Sequence, residues 1–345
     1  MITQLLEKGL IPDSIIRLQI RKLLKDRIQE ISQNSPMAQQ EYLNCFLEDI
    51  RKLDNLAIKT GEANEQHYEV PTKFYQYVLG DYLKYSCAYF NDNNETLTQA
   101  EENMLKMYET KLELKDGMEI LELGCGWGSA TLFLGEKYPN VKITAVSNSS
   151  TQKKYIDDRA KEKGIKNITI ITEDINKLEL NRKFDRIYSI EMFEHVRNYY
   201  GLFRNLNSWL KPEGHGFIHV FVHKNAPYFF DVNDDSDWMS KYFFSGGVMP
   251  SEKLFYHIND HIRITGQTNI NGKHYSLTSR KWLENMDLNK EKIMQLFNEH
   301  YGKQQALKWF EYWRIFFMAC EELWGFKDGT EWFVSHYTFK KVLTQ

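Results

Sequence analysis

The chain has 345 residues, 42% of them hydrophobic, enough for one large packed α/β domain with additions or for two small domains. A net charge of −3 excludes a strong electrostatic footprint for nucleic acid. No apolar run reaches the roughly 18 residues of a membrane span, the N-terminus MITQLLEKGLIPD lacks the apolar core of a signal peptide, and Cys45, Cys87, Cys125 and Cys320 form no CxxC pair. The expectation is a cytoplasmic protein with no metal, no nucleic-acid partner and no stable membrane insertion. Its oligomeric state stays open, a homodimer included.

Residues 1–60 read as helical. Asp13 or Ser14 is placed to cap a helix whose apolar Ile16, Ile20, Leu23, Leu24, Ile28 and Ile31 recur at three- and four-residue steps. Ser35-Pro36 punctuates, and a second helix carries Tyr42, Phe46, Ile50 and Leu53. The polar side of this region mixes both signs of charge, which suits packing onto the main body better than lying on a membrane. Residues 61–90 are too aromatic for a linker and too broken for one helix. There His67, Tyr68, Glu69, Tyr75, Tyr82, Tyr85 and Tyr89 bring polar tips among rings, a composition that can hold an organic cation. An amphipathic helix follows over 96–110.

The central stretch runs from Met118 to Gln152. Ile120, Leu121 and Leu123 make a short apolar strand of the kind buried on both faces, and Glu122 inside it needs a reason. Gly124, Gly126 and Gly128 then turn the chain into a helix over about 129–137, leaving free N–H groups for a ligand. The dinucleotide fingerprint G-x-G-x-x-G fails because its third glycine position is Ser129, and no GK[ST] marks a phosphate loop. A second strand ends in Ser147-Asn148-Ser149-Ser150-Thr151-Gln152, where Asn148 and Gln152 are placed to bond ribose hydroxyls. A third, Asn167–Thr172, ends in Asp174 and Ile175, which suit the edge and face of an adenine. A fourth, Phe184–Ile190, runs into EMFEHVRNYY, and a fifth covers Gly216–His223.

This alternation predicts a doubly wound parallel sheet with its ligand beyond the C-terminal strand ends. Residues 224–250 read as an irregular lid, a helix is expected after Pro250, then a strand His261–Ile270, a helical excursion from about Ser279 to Gly325, and a last strand Trp332–Val342.

Glu191, Glu194 and His195 crowd the end of the fourth strand. Titratable groups at a ligand edge are a site signal. Two acids beside a histidine can attract a cationic group and take up a proton from it.

The E-x-G-x-G-x-G turn resembles motif I of class I S-adenosylmethionine-dependent methyltransferases. With HYEVPTKFYQYVLGDYLKYSCAYF, LELGCGWGSATLFL, VSNSSTQKKYI, SIEMFEH, DWMSKYFFSGGVMPS and NGKHYSLTS, the chain closely resembles the benzylisoquinoline alkaloid N-methyltransferases of the coclaurine type. These belong to the wider cyclopropane-fatty-acyl-phospholipid synthase superfamily. The resemblance implies a Rossmann-like α/β sheet of seven strands, the last antiparallel, with an N-terminal helical region and cap over 1–110. The methyltransferase domain is expected over 111–345, with helical insertions at about 224–260 and 271–330. It implies S-adenosylmethionine as cofactor, in contact with Tyr85, Ser86, Gly124, Asn148, Gln152, Asp174, Ile175 and Ile190; Glu122, Gly126, Gly128 and Ser147, in the same turns, complete the expected cofactor-binding set. It implies a small, aromatic secondary or tertiary amine as the substrate, with Glu191, Glu194 and His195 as catalytic groups and Tyr68 and Glu69 nearby. The alternative is methylation of unsaturated phospholipid acyl chains using a bound bicarbonate, for which Cys87, Glu194, His219 and Tyr275 match the lipid synthases' bicarbonate-binding pattern and Cys320 matches a cysteine once assigned as catalytic in them. Glu191 counts against that alternative, because a second carboxylate beside an alkene is costly and beside an ammonium is useful. Cys320 itself reads as a buried, inert thiol.

Overall fold

The computed structural model describes residues 2–58, 70–232 and 238–343. Helices α1 (Ile2–Glu7), α2 (Asp13–Ile31) and α3 (Pro36–Arg51) precede α4 (Thr72–Val78) and α5 (Leu97–Leu112). The central alternation is β1 (Glu119–Leu123), α6 (Ser129–Lys137), β2 (Lys142–Ser147), α7 (Ser150–Lys163), β3 (Ile168–Thr172), β4 (Phe184–Ile190), α8 (Tyr199–Trp209) and β5 (Leu210–His223). A ribbon of β6 (Tyr228–Phe229) and β7 (Val248–Met249) has α9 (Trp238–Tyr242) between its strands. Then come β8 (Ile262–Ile270), α10 (Gly272–Leu288), α11 (Lys290–Tyr301), α12 (Ala306–Gly325) and β9 (Trp332–Lys341).

The main sheet has seven strands in the order β3-β2-β1-β4-β5-β9-β8. Strands β1 to β5 are parallel, and β9 runs antiparallel to both its neighbours, as expected. The winding reverses between β1 and β4, so a crevice opens beyond their C-terminal ends. Apolar clusters cover the two faces, one built with α5, α6 and the three C-terminal helices, the other with α3 and α8. On α8, Leu202, Phe203, Leu206 and Trp209 form one buried stripe against the sheet. Each side chain so buried contributes ~1.5–3 kcal/mol. No helix among the described residues is long and apolar enough to cross a membrane.

Several boundaries differ from the sequence expectation. Neither Asp13 nor Ser14 caps α2: Pro12 takes the cap position with no side-chain bond, and Asp13 instead accepts from Arg314 at 2.8 and 3.1 Å. Tertiary pairing outcompetes the local cap. Arg17 and Arg21 likewise reach Glu321 and Glu322, fastening α2 to α12. Strand β5 begins at Leu210, because Phe184 pairs with Leu210 and Arg186 with His215, leaving residues 211–214 as a bulge. The helix expected after Pro250 is a single 3-10 turn, Leu254–His257. The described residues of the expected lid, 224–232 and 238–250, pair with one another, Phe230 N–H bonding Gly247 O at 3.0 Å beside the β6–β7 ribbon.

Candidate active site

The crevice beyond β1, β2 and β4 encloses about 1220 Å³ of space, its open mouth included. Of the residues expected at the cofactor, Tyr85, Ser86, Glu122, Gly124, Gly126, Ser147, Asn148, Gln152, Asp174, Ile175 and Ile190 all line it. Gly128 does not, and it packs behind the turn, where an added Cβ would sit 2.7 Å from Ile156. Gly124 has φ +77°, and a Cβ there would lie 2.6 Å from the Met192 side chain, across the crevice floor. Only glycine holds this approach open without strain.

The donors in this crevice suit an amino-acid nucleoside. Ser147 Oγ donates to Gln152 Oε1 at 2.6 Å, which turns Gln152 Nε2 away and leaves it buried with no partner. A buried amide N–H₂ without an acceptor is costly unless a ligand supplies one. Glu122 is 2% exposed, and both its recorded bonds, from Thr131 and from Tyr188 at 2.7 Å, end on Oε2. Burial pushes its carboxyl up to about 7.

Next to this pocket Glu191 begins a turn with φ +46°, a left-handed conformation that non-glycine residues adopt at a cost of about 1–2 kcal/mol. The strain aims its carboxylate into a cluster of donors. Cys87 N–H reaches Oε1 at 2.9 Å, His219 Nε2 reaches Oε1 at 2.9 Å, and Tyr275 O–H reaches Oε2 at 2.5 Å. Because a carboxylate only accepts, His219 carries its hydrogen on Nε2 and accepts at Nδ1. Tyr108 O–H and His336 Nε2 both stand 2.9 Å from that Nδ1. Burial holds both imidazoles well below their usual range, so they are neutral. Burial also raises the Glu191 carboxyl, opposed by the Lys84 charge and by the Cys87 and Tyr275 bonds.

Glu194 is placed differently. Its Oε1 accepts from Phe221 N–H at 2.9 Å, its Oε2 is buried without a partner, and it does not line the crevice. Burial, then repulsion from Glu191, raises its carboxyl well above the usual range. The two acids thus differ in their surroundings: the Lys84 charge and the Cys87 and Tyr275 bonds favour ionised Glu191, whereas Glu191 itself repels charge on Glu194. His195 lines the crevice with its ring 4.7 Å from that of Phe244. Tyr68 and Glu69 lie outside the described residues.

Cys87, His219 and Tyr275, matched above to a bicarbonate pattern, do come together, but their donors converge on the chain's own Glu191 carboxylate. Burial raises the Cys87 and Cys320 thiols, which keeps both protonated and poorly nucleophilic. Sequence reasoning missed Lys84, Tyr108 and His336. His336 faces His219 only through the β5–β9 register, and nothing in its sequence neighbourhood signals that pairing.

The family described as mycolic acid cyclopropane synthetase matches residues 57–330. The chain is 35% identical over 340 residues to (S)-coclaurine N-methyltransferase of Thalictrum flavum subsp. glaucum, covering 97% of this chain and 94% of that one. It is 31% identical over 339 residues to pavine N-methyltransferase of the same plant, covering 97% and 95%. A crystal structure of coclaurine N-methyltransferase bound to N-methylheliamine and SAH superposes with a TM-score of 0.95 at 34% identity, covering 99% of each chain.

Proposed function

The chain belongs to the mycolic acid cyclopropane synthetase family, and from that premise we propose that it is an S-adenosylmethionine-dependent N-methyltransferase acting on a small benzylisoquinoline-like secondary or tertiary amine. The single observation that carries this reading is the Glu191 carboxylate, held at the crevice wall by Cys87, His219 and Tyr275. A fixed negative charge there attracts an ammonium and offers nothing to an alkene.

When bound, the cofactor supplies an electrophilic methyl group for direct displacement. The Gly124–Gly126 turn, Glu122, Gln152, Asp174 and Ile175 would hold it. Glu191 draws in the acceptor as its ammonium and orients the nitrogen; in-line placement at roughly 3–3.5 Å is the main contribution a protein makes to such a displacement. The ammonium has no lone pair, so its proton must leave first, to Glu191 or to His195. Burial raises the Glu191 carboxyl, which strengthens it as a base while its three donors keep it oriented. Such base assistance contributes roughly 10²–10⁴-fold. Glu194, bonded to Phe221 N–H, sets the conformation of the turn that carries both groups.

The test is methyl transfer from labelled S-adenosylmethionine to a panel of benzylisoquinoline and simpler amines, run beside unsaturated phospholipid vesicles. Label on an amine is the expected result. Label confined to lipid would overturn the assignment.

A further inference from the structure

Lys84 is 1% exposed, the most deeply buried cationic side chain among the described residues. It follows Leu83, which has φ +49°, in a tight turn. Its ammonium donates to Ser86 Oγ at 2.5 Å and to Cys87 O at 2.7 Å, and it lies 5.3 Å from the centre of the Tyr108 ring. No carboxylate is hydrogen-bonded to it among its recorded partners. Burying an ammonium without a bonded counter-ion costs several kcal/mol even after relaxation, so its placement needs a cause.

The buried Glu101 carboxyl, which accepts from Gly80 and Tyr82 N–H, attracts Lys84 from the helix side, but Glu191 attracts it more strongly and is reached through one further contact, along two routes. Cys87, whose carbonyl Lys84 holds, gives its N–H to Glu191; Tyr108, whose ring the ammonium faces, bonds His219, and His219 bonds Glu191. We propose that Lys84 is a positioning residue for amine methylation, clamping Ser86 and Cys87 so that the Cys87 N–H meets Glu191, and supplying the buried positive charge that keeps Glu191 ionised. The inference rests on the reading of Glu191 as the carboxylate that receives the amine.

The other groups around Glu191 cannot take that role. Burial keeps the Cys87 and Cys320 thiols and the Tyr108 and Tyr275 hydroxyls protonated and neutral. His219 is neutral, and Glu194, its carboxyl raised well above the usual range, has no positive charge to supply. His195, also on that turn, lines the crevice beside Glu191. Burial draws Lys84 down only to about 8, so it is charged at neutral pH. Removing a nearby positive charge raises a carboxyl pKa, so the acid limb of the rate profile must move to higher pH.

The experiment measures kcat/KM against pH for methylation of an amine acceptor by wild type, Lys84→Met and Lys84→Arg, with cofactor affinity and thermal melting followed for each. Lys84→Met should move the acid limb up by about one unit, which lowers kcat/KM by up to roughly tenfold at pH values below the limb and leaves most of the rate intact above it. Lys84→Arg, which keeps the charge and disturbs the fit, should lower the rate without moving the limb. In a Glu191→Gln background the Lys84→Met substitution should cost less than threefold, because the coupling runs through Glu191. An unmoved acid limb in Lys84→Met, with equal loss at every pH, would reduce Lys84 to a structural clamp and overturn the proposal. Should Lys84→Met fail to fold, Lys84→Gln set against Lys84→Arg carries the same contrast. If wild type transfers no methyl to any amine, the reading of Glu191 fails first, and that result is distinct from an unmoved limb.

Discussion

Replacing Glu191 with glycine removes a charge, a strain and a hydrogen-bond acceptor together, and the three effects can be weighed. The left-handed backbone at φ +46° suits glycine, so relief of strain stabilises the fold by about 1–2 kcal/mol. Against this, Cys87 N–H, His219 Nε2–H and Tyr275 O–H lose their acceptor, at about 1–3 kcal/mol each if they stay dry. Glu191 borders the crevice, so water can enter the gap and offset much of that cost. The expected net change is within about 2 kcal/mol, a melting shift of at most roughly 3 °C for a chain of this length. Activity responds on another scale, since loss of the charge and base lowers kcat/KM by about 10²–10⁴-fold, or ~3–5 kcal/mol. The donors left behind form a ready cradle for a free carboxylate. Formate or acetate should therefore restore part of the rate of Glu191→Gly with saturation, and should do nothing for wild type. The assay is labelled methyl transfer at several formate concentrations, alongside calorimetric cofactor binding. A Glu191→Gly enzyme within threefold of wild type, or one that folds and binds cofactor yet shows no carboxylate rescue, would refute the idea of a preorganised cradle acting through Glu191.

Gly124→Ala should weaken cofactor binding by at least about tenfold, measured by titration calorimetry, because its Cβ would meet Met192 at 2.6 Å on a residue with φ +77°. Arg314→Ala should cost about 1–3 kcal/mol in urea unfolding and speed proteolysis of the N-terminal helices, since Arg314 bridges Asp13 and Asp287. Glu122, raised to about 7 by burial, favours its protonated form in the fold. Its contribution is complete below the ordinary glutamate pKa of about 4.5 and is lost as pH rises through about 7, so stability should fall across that interval. Glu122→Gln should flatten the fall, and an unchanged slope in urea titrations at pH 5 and 8 would count against it.

Much of the site was legible because its parts are local. The strand 120–123, the glycine turn, the Ser147–Gln152 turn and Asp174 each announce themselves within a few residues, and the parallel alternation dictates that strand ends meet at one edge. Glu191 and His195 stood out for the same reason, as titratable groups at a strand end. Local signals misled where a distant partner won. Asp13 had the chemistry of a cap, but Arg314, 301 positions away, binds it instead.

The sequence by itself determined the fold class, the ligand edge and most of the residues expected at the cofactor, because hydrophobic periodicity and turn chemistry act over short stretches of chain. Only the tertiary structure decided what each acid does. Glu191 and Glu194 are three positions apart and identical in type, yet one accepts three hydrogen bonds close to a buried lysine while the other accepts one and keeps its second oxygen buried without a partner. Those donors come from the 84–88 loop, from β5 and from α10. Charge state depends on solvation and on neighbours in space, and separations of 28 to 104 residues hide both from the linear chain.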